Sequence, residues 1–338
     1  MGERQSQDLD AHPLATATDL GSCVPVIDVG GLQAGTTSDA IEEVAQACRE
    51  WGFFQIVNHG ISEELIDELW RQTQHFFSEP DRSKESILRS RENPWGYFNN
   101  ERTKNQRDKK EVFDYTTEGV DPIYQSENRW PETNDGFRTV MLAYLHACTD
   151  LSLRLLEAFC IGLDLPADYL EDYFVPQHTG FIRLNYFPVE DPMANAAVED
   201  LPDAGLGIHH HTDAGALTVL IQDAVGGLQV HRDGYWHNIP PVEGAFVINT
   251  GDMMQVWSND IYLAPTHRVL AMENCDRYSV PFFFNPAAHA RISPLPTVVS
   301  DSRPGAYRTV DWAEFRGKRT DGDYADYGTE VQISQYRL

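Results

Sequence analysis

Between Phe181 and Phe284 the chain breaks into short runs of β-branched and aromatic residues, and this constrains its fold most. The runs fall at 181–187, 205–211, 216–222, 227–231, 245–249, 253–257, 266–272 and 278–284, separated by glycine, Asp-Gly and Pro-Pro. Their length and spacing read as strands of an all-β barrel or double-sheet jelly roll. Asp233-Gly234 between Leu228-Gln229-Val230 and Tyr235-Trp236 is a strong two-residue hairpin signal.

The N-terminal half has a different texture. Val24 to Val29 is a short β-rich run, and Ile41, Val44, Ala45 and Cys48 repeat at helical spacing within Asp39 to Trp51, with Ser38 or Asp39 available as a cap. Phe53 to Asn58 then reads as a strand, and Ser62 to Phe77 as an amphipathic helix. Asp81 to Asn134 is polar and broken by Pro94, Gly96, Gly119, Pro122 and Pro131, which predicts loops and short strands. Gly136 to Leu163 carries the broadest apolar helical face. The expected organisation is a flexible leader at 1–22, an N-terminal α/β region at 23–175 packing on the barrel, a jelly-roll core at 176–300, and a C-terminal extension at 301–338 with a short helix at Asp311 to Arg316.

A net charge of -26, from 52 acidic and 26 basic residues, argues against a phosphate-tracking surface, so nucleic acid is not an expected partner. Cys23, Cys48, Cys148, Cys160 and Cys275 are scattered without a CxxC pair, which argues against a disulfide framework or a zinc knuckle. With no apolar segment of signal-peptide or membrane-spanning pattern, a cytoplasmic protein that does not enter membranes is the expectation.

His211 and Asp213 stand two apart in a predicted strand, where i and i+2 share a face, and after 53 intervening residues His267 enters another predicted strand. Two imidazoles and one carboxylate on one side of a metal are the ligand set of non-haem Fe(II) oxygenases. Zinc in a structural role would call for a fourth protein ligand and usually thiolates, and no cysteine lies near these motifs. His209 shares the parity of His211 and is a candidate for supporting it, while His178, His231 and His237 are read as non-ligands. Ten residues after His267, Arg277 and Ser279 again share a strand face, and a guanidinium fork beside a hydroxyl suits a carboxylate.

These elements, with Trp51 to Gly60, Lys110 to Asp114, Arg183-Leu184-Asn185-Tyr186, His211 to Thr218, Gly226 to Val230 and Asn249 to Asp252, resemble the iron(II)- and 2-oxoglutarate-dependent dioxygenases of the isopenicillin N synthase-like family across nearly all of Val24 to Asn285. The resemblance implies a distorted double-stranded β-helix, mainly β with flanking helices and an N-terminal helical region. It implies iron on His211, Asp213 and His267, the distal carboxylate of 2-oxoglutarate on Arg277 and Ser279, and Asn185 against the co-substrate near the metal. It further implies O2 as second co-substrate, ascorbate as reductant, and release of succinate and CO2 as a C–H bond of a small metabolite is hydroxylated or desaturated. The family commonly places tyrosine two residues after that asparagine; here the residue is Phe187.

Tyr97, Phe98, Arg183, Phe283 and Asn285 match pocket-lining positions, with Arg183 read as the receiver of an anionic or polar substrate group. Two other readings stay open at this point. One is an oxidase of the same scaffold that does not use 2-oxoglutarate and grips a substrate carboxylate with Arg277 and Ser279. The other is a catalytically silent metal-binding barrel.

Overall fold

The structure is a computed structural model describing residues 9, 12–15, 24–33, 38–132, 136–194, 205–323 and 330–338. In chain order it contains β1 (Val26–Asp28), α1 (Gly30–Gln33), α2 (Ser38–Glu50), β2 (Phe53–Val57), α3 (Glu63–Ser78), α4 (Asp81–Glu85), β3 (Gly96–Phe98), β4 (Arg102–Thr103), β5 (Gln106–Arg107), β6 (Glu111–Thr116) and α5 (Phe137–Gly162). There follow β7 (Phe181–Phe187), β8 (Leu206–His211), β9 (Leu217–Gln222), β10 (Leu228–Arg232), β11 (Tyr235–Asn238), β12 (Phe246–Thr250), α6 (Asp252–Trp257), β13 (His267–Leu270), β14 (Arg277–Phe284), β15 (Arg291–Ile292), β16 (Val310–Asp311) and α7 (Trp312–Gly322).

Two sheets form the core. The major sheet runs β1-β2-β12-β9-β14-β7-β6-β3 and the minor one β11-β10-β13-β8, so strands of the N-terminal region extend the major sheet at both ends. Side chains alternate across these strands, and both faces of the major sheet are covered. On β9, Leu217, Val219 and Ile221 join the cluster under the helices, whereas Leu220 packs with Phe187, Leu228, Val230, Val247 and Val269 between the sheets. The same period puts Phe181, Arg183, Asn185 and Phe187 of β7, and Arg277, Ser279, Pro281 and Phe283 of β14, toward the interior. Burial of the outer face is the task of α5, which packs on α2 and α3 and against β9 and β14.

Three expectations need correction. The run at 253–257 is part of the helix α6, because a short apolar run cannot be assigned by periodicity alone; its first N–H groups, from Asp252 and Met253, donate to the carbonyls of Asp213 and Gly215. The C-terminal helix continues through Gly317 to Gly322 and is capped by Asp311, whose carboxylate accepts from the Glu314 N–H. Of the supposed flexible leader, Leu9 and His12 to Ala15 are tied to the minor sheet: Leu9 O accepts from the Trp236 indole and Pro13 O from the Trp236 amide. The Asp233-Gly234 hairpin joins β10 to β11, with both residues at positive φ, as a type I′ turn requires.

Candidate active site

Strand pairing builds the metal-ligand group. His267 opens β13 directly opposite His211, the last residue of β8, and their rings lie 4.3 Å apart. Asp213 is just beyond the end of β8, so it reaches the site from a turn and not, as strand periodicity suggested, from the strand itself. One Nε2 from each histidine stands 3.7 Å from Asp213 Oδ1, and the three ligand atoms all lie within 4.8 Å of one another. Among the described residues no other group of histidine, cysteine and carboxylate converges in this way.

Each ligand is oriented from behind. His211 Nδ1 donates to the His209 carbonyl at 2.8 Å and His267 Nδ1 to the Pro265 carbonyl at 3.1 Å, which leaves both Nε2 lone pairs for a metal. Burial and the adjacent His267 hold His211 well below the usual imidazole range, in the neutral form that ligates. The far oxygen of Asp213, Oδ2, accepts from Thr218 Oγ1 at 2.5 Å and Asn249 Nδ2 at 2.8 Å. Thr218 and Asn249 are cross-strand partners on β9 and β12, so the major sheet fixes a ligand carried by the minor one. The turn that holds Asp213 is pressed on the start of α6: a Cβ on Gly251 would meet the Gly215 oxygen at 2.3 Å. His209 is not a ligand; its N–H and ring both engage Asp108, and its carbonyl serves His211.

Beside this group lies a buried cation without an ion-pair partner among the described residues. Arg277 is fully buried, and among the described residues it pairs with no carboxylate; its Nη1 donates to Ser279 Oγ at 3.2 Å and its Nη2 to Gln222 Oε1 at 3.1 Å. Desolvation pushes the guanidinium down to about 10. Asn185 and Gln222 are the cross-strand neighbours of Ser279, and Asn185 Oδ1, Gln222 Nε2 and Arg277 Nε are all buried without a partner. A buried fork, a hydroxyl and the orphaned donors Arg277 Nε and Gln222 Nε2 fit a small carboxylate. The ring of Phe187, the residue in the usual tyrosine position, lies 4.9 Å under the Arg277 guanidinium and offers a π face instead of a hydroxyl.

Both groups open into one cleft of about 1090 Å³, its mouth included. Phe283, Asn285 and Arg183 line it as expected, but Tyr97 and Phe98 do not. Tyr97 is buried on the helix side, with its hydroxyl on Glu111, and Phe98 carries the Arg89 guanidinium at 4.8 Å. Arg183 does not have a free charge for substrate: Nε and Nη2 engage Asp114, and Nη1 engages Glu101, all at 2.8 Å. Glu101 in turn takes Lys110 and Arg89, and Asp108 takes Lys110 as well, so three cations and three carboxylates form a balanced buried network behind the cleft wall. Sequence reasoning missed Gln222, whose role comes from its pairing with Ser279, and also Arg316 and Arg319, which α7 brings to the cleft. Arg319 donates to the carbonyl of Thr212, between two metal-ligand candidates.

Residues 178–286 match the family model of the 2OG-Fe(II) oxygenase superfamily, and residues 24–133 match the N-terminal model of the non-haem dioxygenase in morphine synthesis. DMR6-like oxygenase 2 of Arabidopsis thaliana is 34% identical to the chain, over 97% of this chain and 91% of its own length. The chain belongs to the 2OG-Fe(II) oxygenases. Flavanone 3-dioxygenase of Petroselinum crispum is 31% identical over 86% of the chain and 77% of its own length. The crystal structure of JOX2 in complex with 2OG, Fe and JA superposes with a TM-score of 0.79 at 29% identity, covering 93% of this chain and 89% of that one. Such coverage identifies this 2OG-Fe(II) oxygenase as a 2-oxoglutarate-dependent non-haem iron dioxygenase built on the double-stranded β-helix, an oxidoreductase that hydroxylates or desaturates its substrate. Among the described residues no helix is long and apolar enough to cross a membrane.

Proposed function

We propose that His211, Asp213 and His267 hold the iron, that Arg277 and Ser279 hold the distal carboxylate of 2-oxoglutarate with Gln222 and Asn185 beside them, and that a small metabolite enters over Phe283 and Asn285. The observation that carries this reading is the fully buried, carboxylate-free Arg277 in the same cleft as the His-Asp-His group. An uncompensated buried guanidinium is costly, and an anionic ligand offsets that cost.

Bound iron supplies activation of dioxygen, driven by oxidation of the 2-oxo acid to succinate and CO2. The chain supplies the rest. The His209 and Pro265 carbonyls keep both imidazoles aimed, Thr218 and Asn249 keep Asp213 turned with one oxygen free, and Phe53, Leu220, Leu228 and Val269 line an apolar wall that excludes water. A cytoplasmic location is part of the proposal, in keeping with the free thiols of Cys48, Cys148, Cys160 and Cys275. The test is titration of 2-oxoglutarate into Mn(II)-loaded protein: binding that requires both the metal and Arg277 is expected, and binding indifferent to either removes the proposed roles.

A further inference from the structure

With Arg183 neutralised, one cation of the cleft has no assigned task. Lys110 is paired with Glu101 and Asp108, Arg319 with Glu330 and two carbonyls, and Arg102 donates to the carbonyl of Asn105. Arg316, on the inner face of α7, makes no hydrogen bond or ion pair with the described residues. Its guanidinium is instead held over the Phe181 ring at 4.7 Å from the centroid. That ring stacks at 4.7 Å and 24° on Phe283.

These side chains form a continuous wall leading to the metal group. Phe181, Phe283 and Thr218 are register partners on β7, β14 and β9, so they project in one row across three adjacent strands. Thr218 ends that row on the carboxylate of Asp213. Two strand spacings make the row about 10 Å long. A cation at one end, two stacked aromatic faces in the middle and the His-Asp-His group at the other end define a shape and a charge.

We propose that Arg316 is the anchor for an anionic group of the substrate, and that the substrate is a carboxylate with a flat, unsaturated body lying on Phe181 and Phe283, oxidised roughly 10 Å from its charge. This rests on the function proposed above and adds the substrate class. A carboxylate suits the planar fork of Arg316, and the ring beneath keeps the fork extended without consuming its N–H donors. Asp121 and Asp323 are close enough to act on Arg316 electrostatically but make no ion pair with it, and Asp121 is engaged by the N–H groups of Ile123 and Tyr124. An uncharged isostere of the substrate would lose the anchor and keep only the aromatic wall.

The test uses the full chain loaded with Mn(II) and saturating N-oxalylglycine, so that the Arg277 pocket is filled and cannot report. Calorimetric titration compares trans-cinnamate and 2-naphthoate with their primary amides. At least tenfold tighter binding of the acids is expected in the wild type, with the preference lost in Arg316→Ala, partly kept in Arg316→Lys, and unchanged in the control Arg291→Ala, an exposed residue of β15. Equal binding of acids and amides, no binding of either, or a preference that survives Arg316→Ala overturns the proposal. Failure of N-oxalylglycine itself to bind would instead count against the role of Arg277, which keeps the two claims separable.

Discussion

Arg277→Met tests the anion site because two opposite effects are expected from one substitution. Desolvation lowers the guanidinium from its ordinary value to about 10, which corresponds to a cost of roughly 3 kcal/mol for keeping its charge buried, at about 1.4 kcal/mol per pKa unit. At pH 7.5 the group is charged in both folded and unfolded chains, so the folded protein bears that cost in full. Methionine has similar reach and no charge; removing the arginine also strands Gln222 Oε1, which costs about 1–2 kcal/mol. The metal-free variant should therefore be more stable than wild type by about 1–2 kcal/mol in urea unfolding. The Mn(II) form should lose 2-oxoglutarate affinity by roughly 100-fold, the scale of a buried charge-assisted pair. Loss of stability in the metal-free variant, or a 2-oxoglutarate Kd within about threefold of wild type, would refute the reasoning.

Three further outcomes are expected. Asn249→Ala removes one of the two donors that hold Asp213 Oδ2 and should weaken Mn(II) binding by about 10- to 100-fold, read by metal titration. Phe187→Tyr should restore a hydroxyl beside Arg277 and lower the 2-oxoglutarate Kd about fivefold, the worth of one net hydrogen bond, without changing metal affinity. Although burial opposes it, Arg183, Lys110 and Arg89 hold the Glu101 carboxyl well below the ordinary range. Glu101→Gln should thus cost about 3–5 kcal/mol at pH 7. Its depressed folded pKa means that the stabilisation is present above 4.5 and is lost as pH falls through the folded value, so urea midpoints of wild type and variant should converge in acid.

The residues legible in the sequence were those whose identity and spacing carry their chemistry. His211, Asp213 and His267 are a rare combination, and Arg277 with Ser279 sits on a run whose period of two already orients it. The strands from β7 to β14 were legible because Gly, Asp-Gly and Pro-Pro punctuate them. α6 was misread because Met253, Met254, Val256 and Trp257 are all buried and so show no period, and what makes them helical is the docking of their first N–H groups on the Asp213 turn. Arg183 was misassigned because its partners, Glu101 and Asp114, lie 82 and 69 residues away. Gln222 and Arg316 carried no local signal; the first depends on cross-strand register and the second on where α7 returns to the cleft.

Succinate formation from 2-oxoglutarate tests the central claim most directly, because it reads consumption of the co-substrate without requiring that the substrate be known. Wild-type protein supplied with Fe(II), 2-oxoglutarate and air should release succinate, should cease to do so without iron or O2, and should fall at least tenfold in Arg277→Met. Iron-dependent oxygen consumption with no succinate, or succinate formation that Arg277→Met leaves intact, would contradict the assignment of Arg277 and Ser279 as the co-substrate grip.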